Sequence, residues 1–161
     1  MDEPRWLVDE MLGRLCRYLR FLGYDAAYAQ GVSDEAILQR AQVEGRRLLT
    51  RDRRLARHSP DAILLTRTDI AGQMQEIEAA FPSFRHQVRF ERCSLCNGVL
   101  ARVQGTPGVS PGAPPLPPEV LAGRAPAYRC SVCGHLYWEG AHTRSIRIRL
   151  AQWFPTTQGA G

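Results

Sequence analysis

The sequence predicts an α/β fold: a parallel-sheet domain followed by a small cysteine-bearing appendage. Three observations predict it. Apolar strand-like runs alternate with amphipathic segments up to about residue 87, which implies a parallel sheet with right-handed crossovers. Two Cys-x-x-Cys pairs, Cys93/Cys96 and Cys130/Cys133, follow. Between those pairs, residues 104–127 hold seven of the eleven prolines, which excludes regular structure throughout that stretch. The expected division is residues 1–87 and residues 88–161, with a proline-rich insertion at about 104–127.

Residues 5–8 form a short apolar run that ends at Asp9. Residues 10–22 read as a helix, with Met11, Leu12, Leu15, Leu19 and Leu22 on one face and Arg14, Arg17 and Arg20 opposite. Gly23 ends it. A second strand is expected at 24–29. Ser33 then caps a helix through Glu44, with Ala36, Ile37, Val43 and the stem of Arg40 as the candidate inward positions and Gly45 closing it. A third strand at 47–50 leads to a short basic helix at 52–58. A fourth strand covers 62–66 and a fourth helix 69–81. Beyond the proline-rich stretch, with one helical turn at 119–121, a strand is expected at 136–138. Residues 143–154 fit either a helix or a strand.

At 161 residues, 44% hydrophobic and 23% charged, the chain can bury a core. No stretch approaches about 20 apolar residues, so no membrane partner is expected. The first residues lack a secretory pattern, and a cytoplasmic protein is expected. Five cysteines in such a chain favour metal ligands or free thiols over disulfides. Cys16, alone on the first helix, reads as a buried free thiol.

All 21 basic residues are arginine, which removes lysine-based Schiff-base or general-base chemistry. Residues 1–87 carry 13 Arg and 13 acids, whereas residues 88–161 carry 8 Arg and 3 acids. The net charge of +5 therefore sits in the second part. An acidic part with a basic appendage suits a polyanionic partner.

Ligands of open parallel sheets bind at the carboxyl ends of the strands. Asp9, Asp52 and Asp69 each follow a predicted strand, and Asp34 opens the helix after the second one. Singly, each acid fits a helix cap or first turn. Together, four acids at one edge repel unless a cation sits among them, and hard Mg²⁺ or Mn²⁺ suits oxygen ligands. Such an ion activates water for attack on a phosphate. Residues 46–57 carry six arginines and one acid, Asp52. Arg51, Arg53 and Arg54 beside Asp52, with Arg14 and Arg17, are the candidate phosphate contacts; a solvated helix face is the plain alternative.

The two cysteine pairs are separated by 33 residues and can offer Cys93, Cys96, Cys130 and Cys133 tetrahedrally to one structural Zn²⁺. Tyr137, Trp138, Trp153 and Phe154 are available for base stacking or for the appendage's own core, with the core favoured for Trp138.

The runs Leu7-Val8-Asp9-Glu10-Met11-Leu12, Leu22-Gly23-Tyr24-Asp25, Ser33-Asp34-Glu35 and Leu48-Leu49-Thr50-Arg51-Asp52-Arg53 resemble a PIN-like nuclease domain. With Cys130-Ser131-Val132-Cys133-Gly134 and Tyr137-Trp138, the chain resembles the Mut-seven C-terminal ribonuclease family from about Trp6 to Leu150. The resemblance implies a PIN-like α/β/α domain followed by a four-cysteine zinc ribbon. It implies a metal-dependent ribonuclease with Asp9, Asp34 and Asp52 as metal-binding acids, and Asp69 as a looser match. Glu35 competes with Asp34. RNA is the implied partner, an endonucleolytic action is expected, and the ribbon would assist RNA binding. Gly140-Ala141-His142 and the proline-rich stretch depart from the family pattern, which touches the ribbon's contacts more than the nuclease core. The rivals are a non-catalytic RNA-binding or protein-interaction module and a phosphatase-like hydrolase.

Overall fold

The structure is a computed structural model that describes residues 2–108, 111–112 and 115–155. Its first part is a four-stranded parallel sheet, β1 (Trp6–Asp9), β2 (Ala26–Ala29), β3 (Arg47–Thr50) and β4 (Ile63–Leu64), in the order β2-β1-β3-β4. The strands read as near-continuous apolar runs because both faces are covered. Trp6, Val8 and Leu49 face one core with α1 (Gly13–Phe21) and α4 (Ile70–Ala80). Leu7 and Leu48 face the other with α2 (Asp34–Glu44) and α3 (Arg53–Arg57). The result is the expected α/β/α layering.

Local signals set the helix ends. Ser33 accepts the Ala36 N–H and opens α2, and Gly45 closes it at φ 60°, a left-handed value suited to glycine. The first predicted helix starts as a 3₁₀ turn, Glu10–Leu12, before α1. Four predicted orientations are corrected. Ala36 and Val43 are exposed, because α2 lays Ile37 and Ala41 on the sheet instead, four residues apart on one face. Met11 is also exposed, lying in the 3₁₀ turn rather than in α1. Arg20 is buried rather than solvated, since its guanidinium meets backbone carbonyls.

The second part is an antiparallel three-stranded sheet, β5 (Leu100–Arg102), β6 (Ala127–Cys130) and β7 (Leu136–Trp138). The first two strands have no clear sequence pattern. They are only three and four residues long, and β5 buries Leu100 alone. The helical turn in the proline-rich stretch is α5 (Pro118–Leu121); residues 109, 110, 113 and 114 lie outside the described ones. The closing segment is a helix, α6 (Ala141–Trp153). It returns to the first part, where Ile146 and Leu150 join the same core as Trp6 and Met74. No described helix is long and apolar enough to cross a membrane.

Candidate active site and metal centre

The strand order fixes where a ligand site belongs. β1 leads to β2 on one side, while β3 lies on its other side. The crevice between the carboxyl ends of β1 and β3 is therefore the topological switch point, where open α/β sheets bind ligands. Asp9 is the last residue of β1, and Asp52 follows β3 by two residues.

One buried hydroxyl joins them. The β1–β3 register pairs Val8 with Leu49, which sets Asp9 level with Thr50. Thr50 is fully buried, and its Oγ1 donates to Asp9 Oδ2 at 2.6 Å while accepting the Asp52 N–H at 2.9 Å. Asp9 Oδ1 accepts the Glu10 N–H at 2.8 Å. Asp9 is 6% exposed, unusual for a carboxylate without a cationic partner. Asp52 Oδ1 caps α3, accepting from Arg54 N at 2.7 Å and Leu55 N at 3.1 Å. No hydrogen bond engages its Oδ2 among the described residues.

Asp34 and Asp69 lie on the same edge but stand apart. Asp34 is exposed in the first turn of α2, where Ser33 is the cap, and Glu35 is exposed beside it. Asp69 caps α4 through Gly72 N at 2.8 Å and lies 3.5 Å from Arg67. The Gly72 N–H, outweighing a small desolvation effect, with help from Arg67, holds its carboxyl below the usual range. No three of the four aspartates bring their oxygens close enough to share one ion among the described residues. The donors fit a hard divalent cation in kind, being carboxylate oxygens at a solvent-facing edge. Of the four, only Asp9 and Asp52 are linked, the Asp9 carboxylate to the Asp52 N–H through Thr50.

The arginines divide by strand end. Arg46 and Arg47 open β3, at the edge opposite the aspartates. Arg46 pairs with Asp25 at 2.7 Å, and Arg47 donates to Asp61 O at 2.8 Å. Arg51, Arg53 and Arg54 are exposed beside Asp52, and Arg14 and Arg17 are exposed on α1. Clefts of about 400 and 930 Å³ open at the amino edge around Arg5, Asp25 and Arg46, away from the four aspartates.

The cysteines do converge. The sulfurs of Cys93, Cys96, Cys130 and Cys133 lie within 4.8 Å of one another. Cys93–Cys133 is 3.6 Å and Cys96–Cys130 is 3.4 Å. A disulfide needs about 2.05 Å, whereas a tetrahedron with Zn–S bonds of about 2.3 Å has edges of about 3.8 Å. The set fits a structural zinc with all four positions filled by protein. Each pair sits in a tight turn closed by a left-handed residue, Asn97 at φ 68° and Gly134 at φ 77°. Gly98 lets the two turns meet, since a Cβ there would lie 2.7 Å from Cys130 Sγ. Desolvation opposes a Cys130 thiolate, but the Cys133 and Val132 N–H groups point at its sulfur and hold it down to about 6. The Tyr137 hydroxyl lies 3.0 Å from Cys93 Sγ and accepts the Ser94 N–H at 3.1 Å. Tyr137 is thus buried in the metal centre, and Trp138 packs against the ribbon's own core, as expected of it.

Three residues that sequence reasoning missed hold these regions in place. Thr50 is one, a hydroxyl in an otherwise apolar run and the only available signal. Arg20 donates to Ala26 O at 2.8 Å and to Ser94 O and Leu95 O at 3.1 Å each, tying α1 to the first cysteine turn. Asn97 accepts the Ala26 N–H at 3.0 Å and donates to Asp25 at 2.7 Å.

Compared with protein-family models, residues 4–150 match the Mut7-C RNAse domain. No curated protein and no solved structure matches the chain.

Proposed function

The chain belongs to the Mut7-C RNAse domain family, and from that premise of a ribonuclease-like function we propose that it hydrolyses RNA phosphodiesters at the carboxyl edge of its parallel sheet. The observation that carries this reading is the joining of Asp9 and Asp52 through the buried Thr50 hydroxyl at the switch point. Asp9 and Asp52 would hold Mg²⁺ or Mn²⁺, with Asp34 and Asp69 reaching the ion through water. Such an ion supplies an activated water and offsets charge on the phosphate during in-line displacement.

The chain's own residues do the rest. Thr50 fixes the Asp9 carboxylate, so that its oxygens need not reorganise on substrate binding. Arg51, Arg53 and Arg54 flank Asp52 and grip phosphate oxygens as planar, permanently charged forks. Arg14 and Arg17 extend that field along α1. The products carry 5′-phosphate and 3′-hydroxyl ends, and cleavage is endonucleolytic. The ribbon, with one structural zinc, assists in holding RNA.

Asp9→Asn and Asp52→Asn test the reading on labelled single-stranded RNA with Mn²⁺ or with chelator. Each removes a negative oxygen with little change of volume. Cleavage is expected to fall by on the order of 100-fold or more, with thermal unfolding nearly unchanged because Asn also caps helices. Full activity of both variants at saturating Mn²⁺ would exclude the site.

A further inference from the structure

Resting on that ribonuclease reading, we propose that the seam between α1 and α6 is the track on which the RNA strand leaves the aspartate edge, with Arg149 and Trp153 of α6 as its contacts beyond Arg14 and Arg17. α6 crosses the second half of α1. Near the end of α1, Phe21 meets His142 at the start of α6, with ring centroids 5.5 Å apart. Further back, Tyr18 meets the end of α6: Arg149 donates to its hydroxyl at 3.1 Å, and the Trp153 ring lies 5.4 Å away. His142, Arg149 and Trp153 recur at spacings of seven and four residues and so share one flank of α6. α1 begins directly after the turn that Asp9 caps, so Arg14 and Arg17 lie between the proposed site of cleavage and the crossing with α6.

The charge of the two helices is one-sided. α1 and α6 together hold 22 residues, 9 and 13, and six arginines without one acid. At the chain's average of 16 acids in 161 residues, two would stand there. Arg20 is consumed by buried carbonyls, and Arg147 pairs with Glu139 at 2.9 Å. Arg14, Arg17 and Arg149 are exposed and make no ion pair among the described residues. Positive charge with acids excluded draws a polyanion. Trp153 is half-buried beside Tyr18, so part of the indole can stack on a base irrespective of sequence. The nine-residue α1 is about 13 Å long, so the track takes a few nucleotides beyond the scissile bond.

The test uses fluorescein-labelled oligouridylates of about 4 and about 16 nucleotides, spanning the range of known single-strand site sizes. Binding is read by anisotropy across a salt series, with Ca²⁺ in place of Mn²⁺. Arg149→Gln is expected to weaken the long oligomer about tenfold and to lower its salt slope by about 0.7, one phosphate contact on a single strand. The short oligomer should bind unchanged. Arg5→Gln, an exposed arginine at the amino edge of the sheet, away from the aspartates, controls for net charge. The long oligomer should also quench tryptophan emission in the wild type and less so in Trp153→Phe. If Arg149→Gln matches Arg5→Gln at both lengths, or weakens both oligomers equally, the track is refuted. Cleavage of the short oligomer, lost in Asp9→Asn, reports separately on the aspartate edge; if the wild type neither binds nor cleaves either oligomer, both readings fall.

Discussion

The cysteine cluster and the aspartate edge are built in opposite ways. Four sulfurs come within 4.8 Å of one another with protein alone, whereas the aspartates stay spread along a sheet edge, three of them capping helices and Asp34 exposed in a first turn. The difference follows from how far apart in the chain the ligands begin. Each cysteine pair is delivered by one tight turn, so only two turns must meet. The aspartates come from separate strand–helix junctions, and their like charges oppose closer approach. A structural centre can be finished by folding; a site that must admit substrate keeps open positions.

The largest expected effect breaks the metal centre itself. Cys130→Ser should lower zinc content from about one per chain to near zero, read by elemental analysis. Metal binding contributes on the order of 10 kcal/mol to small zinc domains, so the ribbon should unfold. The loss should not stop there, because Arg20 and Asn97 bind the first cysteine turn to α1 and β2. Amide exchange should therefore quicken at Ala26 as well as in the ribbon. Protection retained at Ala26 would show two independent regions.

A smaller effect sharpens the other side of the comparison. Thr50→Val keeps the volume of a fully buried side chain but removes the hydroxyl shared by Asp9 and the Asp52 N–H. Leaving a buried acceptor and donor unsatisfied costs about 1–3 kcal/mol, measurable by urea unfolding. Cleavage should fall together with stability. Unchanged activity would mean that the Asp9 carboxylate needs no fixing.

The smallest concerns Asp25, a carboxylate satisfied wholly by protein. Burial raises its pKa, but hydrogen bonds from Arg46 and Asn97 and the charges of Arg46 and Arg92 outweigh that and hold it below its ordinary value. A depressed carboxyl contributes stability above its unfolded pKa of about 3.9 and loses it as pH falls through the folded value. Asp25→Asn should cost about 1 kcal/mol at pH 7, with the gap from wild type closing in acid below about pH 4. A gap constant with pH would mean that packing, not charge, is what Asp25 supplies.

Much of the fold was legible. The strand and helix alternation, the Ser33 and Gly45 caps and the cysteine spacing are local signals, and each fell where expected. The second part was less so. β5 and β6 are short and carry no alternation, because their neighbours and the cysteine turns, not an apolar face, hold them in register. Arg20 was misread for the same reason. Its place opposite the apolar face of α1 looked like solvent until the first cysteine turn arrived, 74 residues later, to cover it.

The sequence by itself determined the two classes of chemistry, thiolates at knuckle spacing and carboxylates after apolar strands, because ligand type and local spacing are written in neighbouring residues. Only the tertiary structure decided which of them meet. The β1–β3 register set Thr50 between Asp9 and Asp52, and left Asp34 and Asp69 outside that pair. It also brought α6 back across α1, making one surface from residues more than 120 positions apart. Strand register and long-range packing depend on burying shared cores, a property of the whole chain that no short motif encodes.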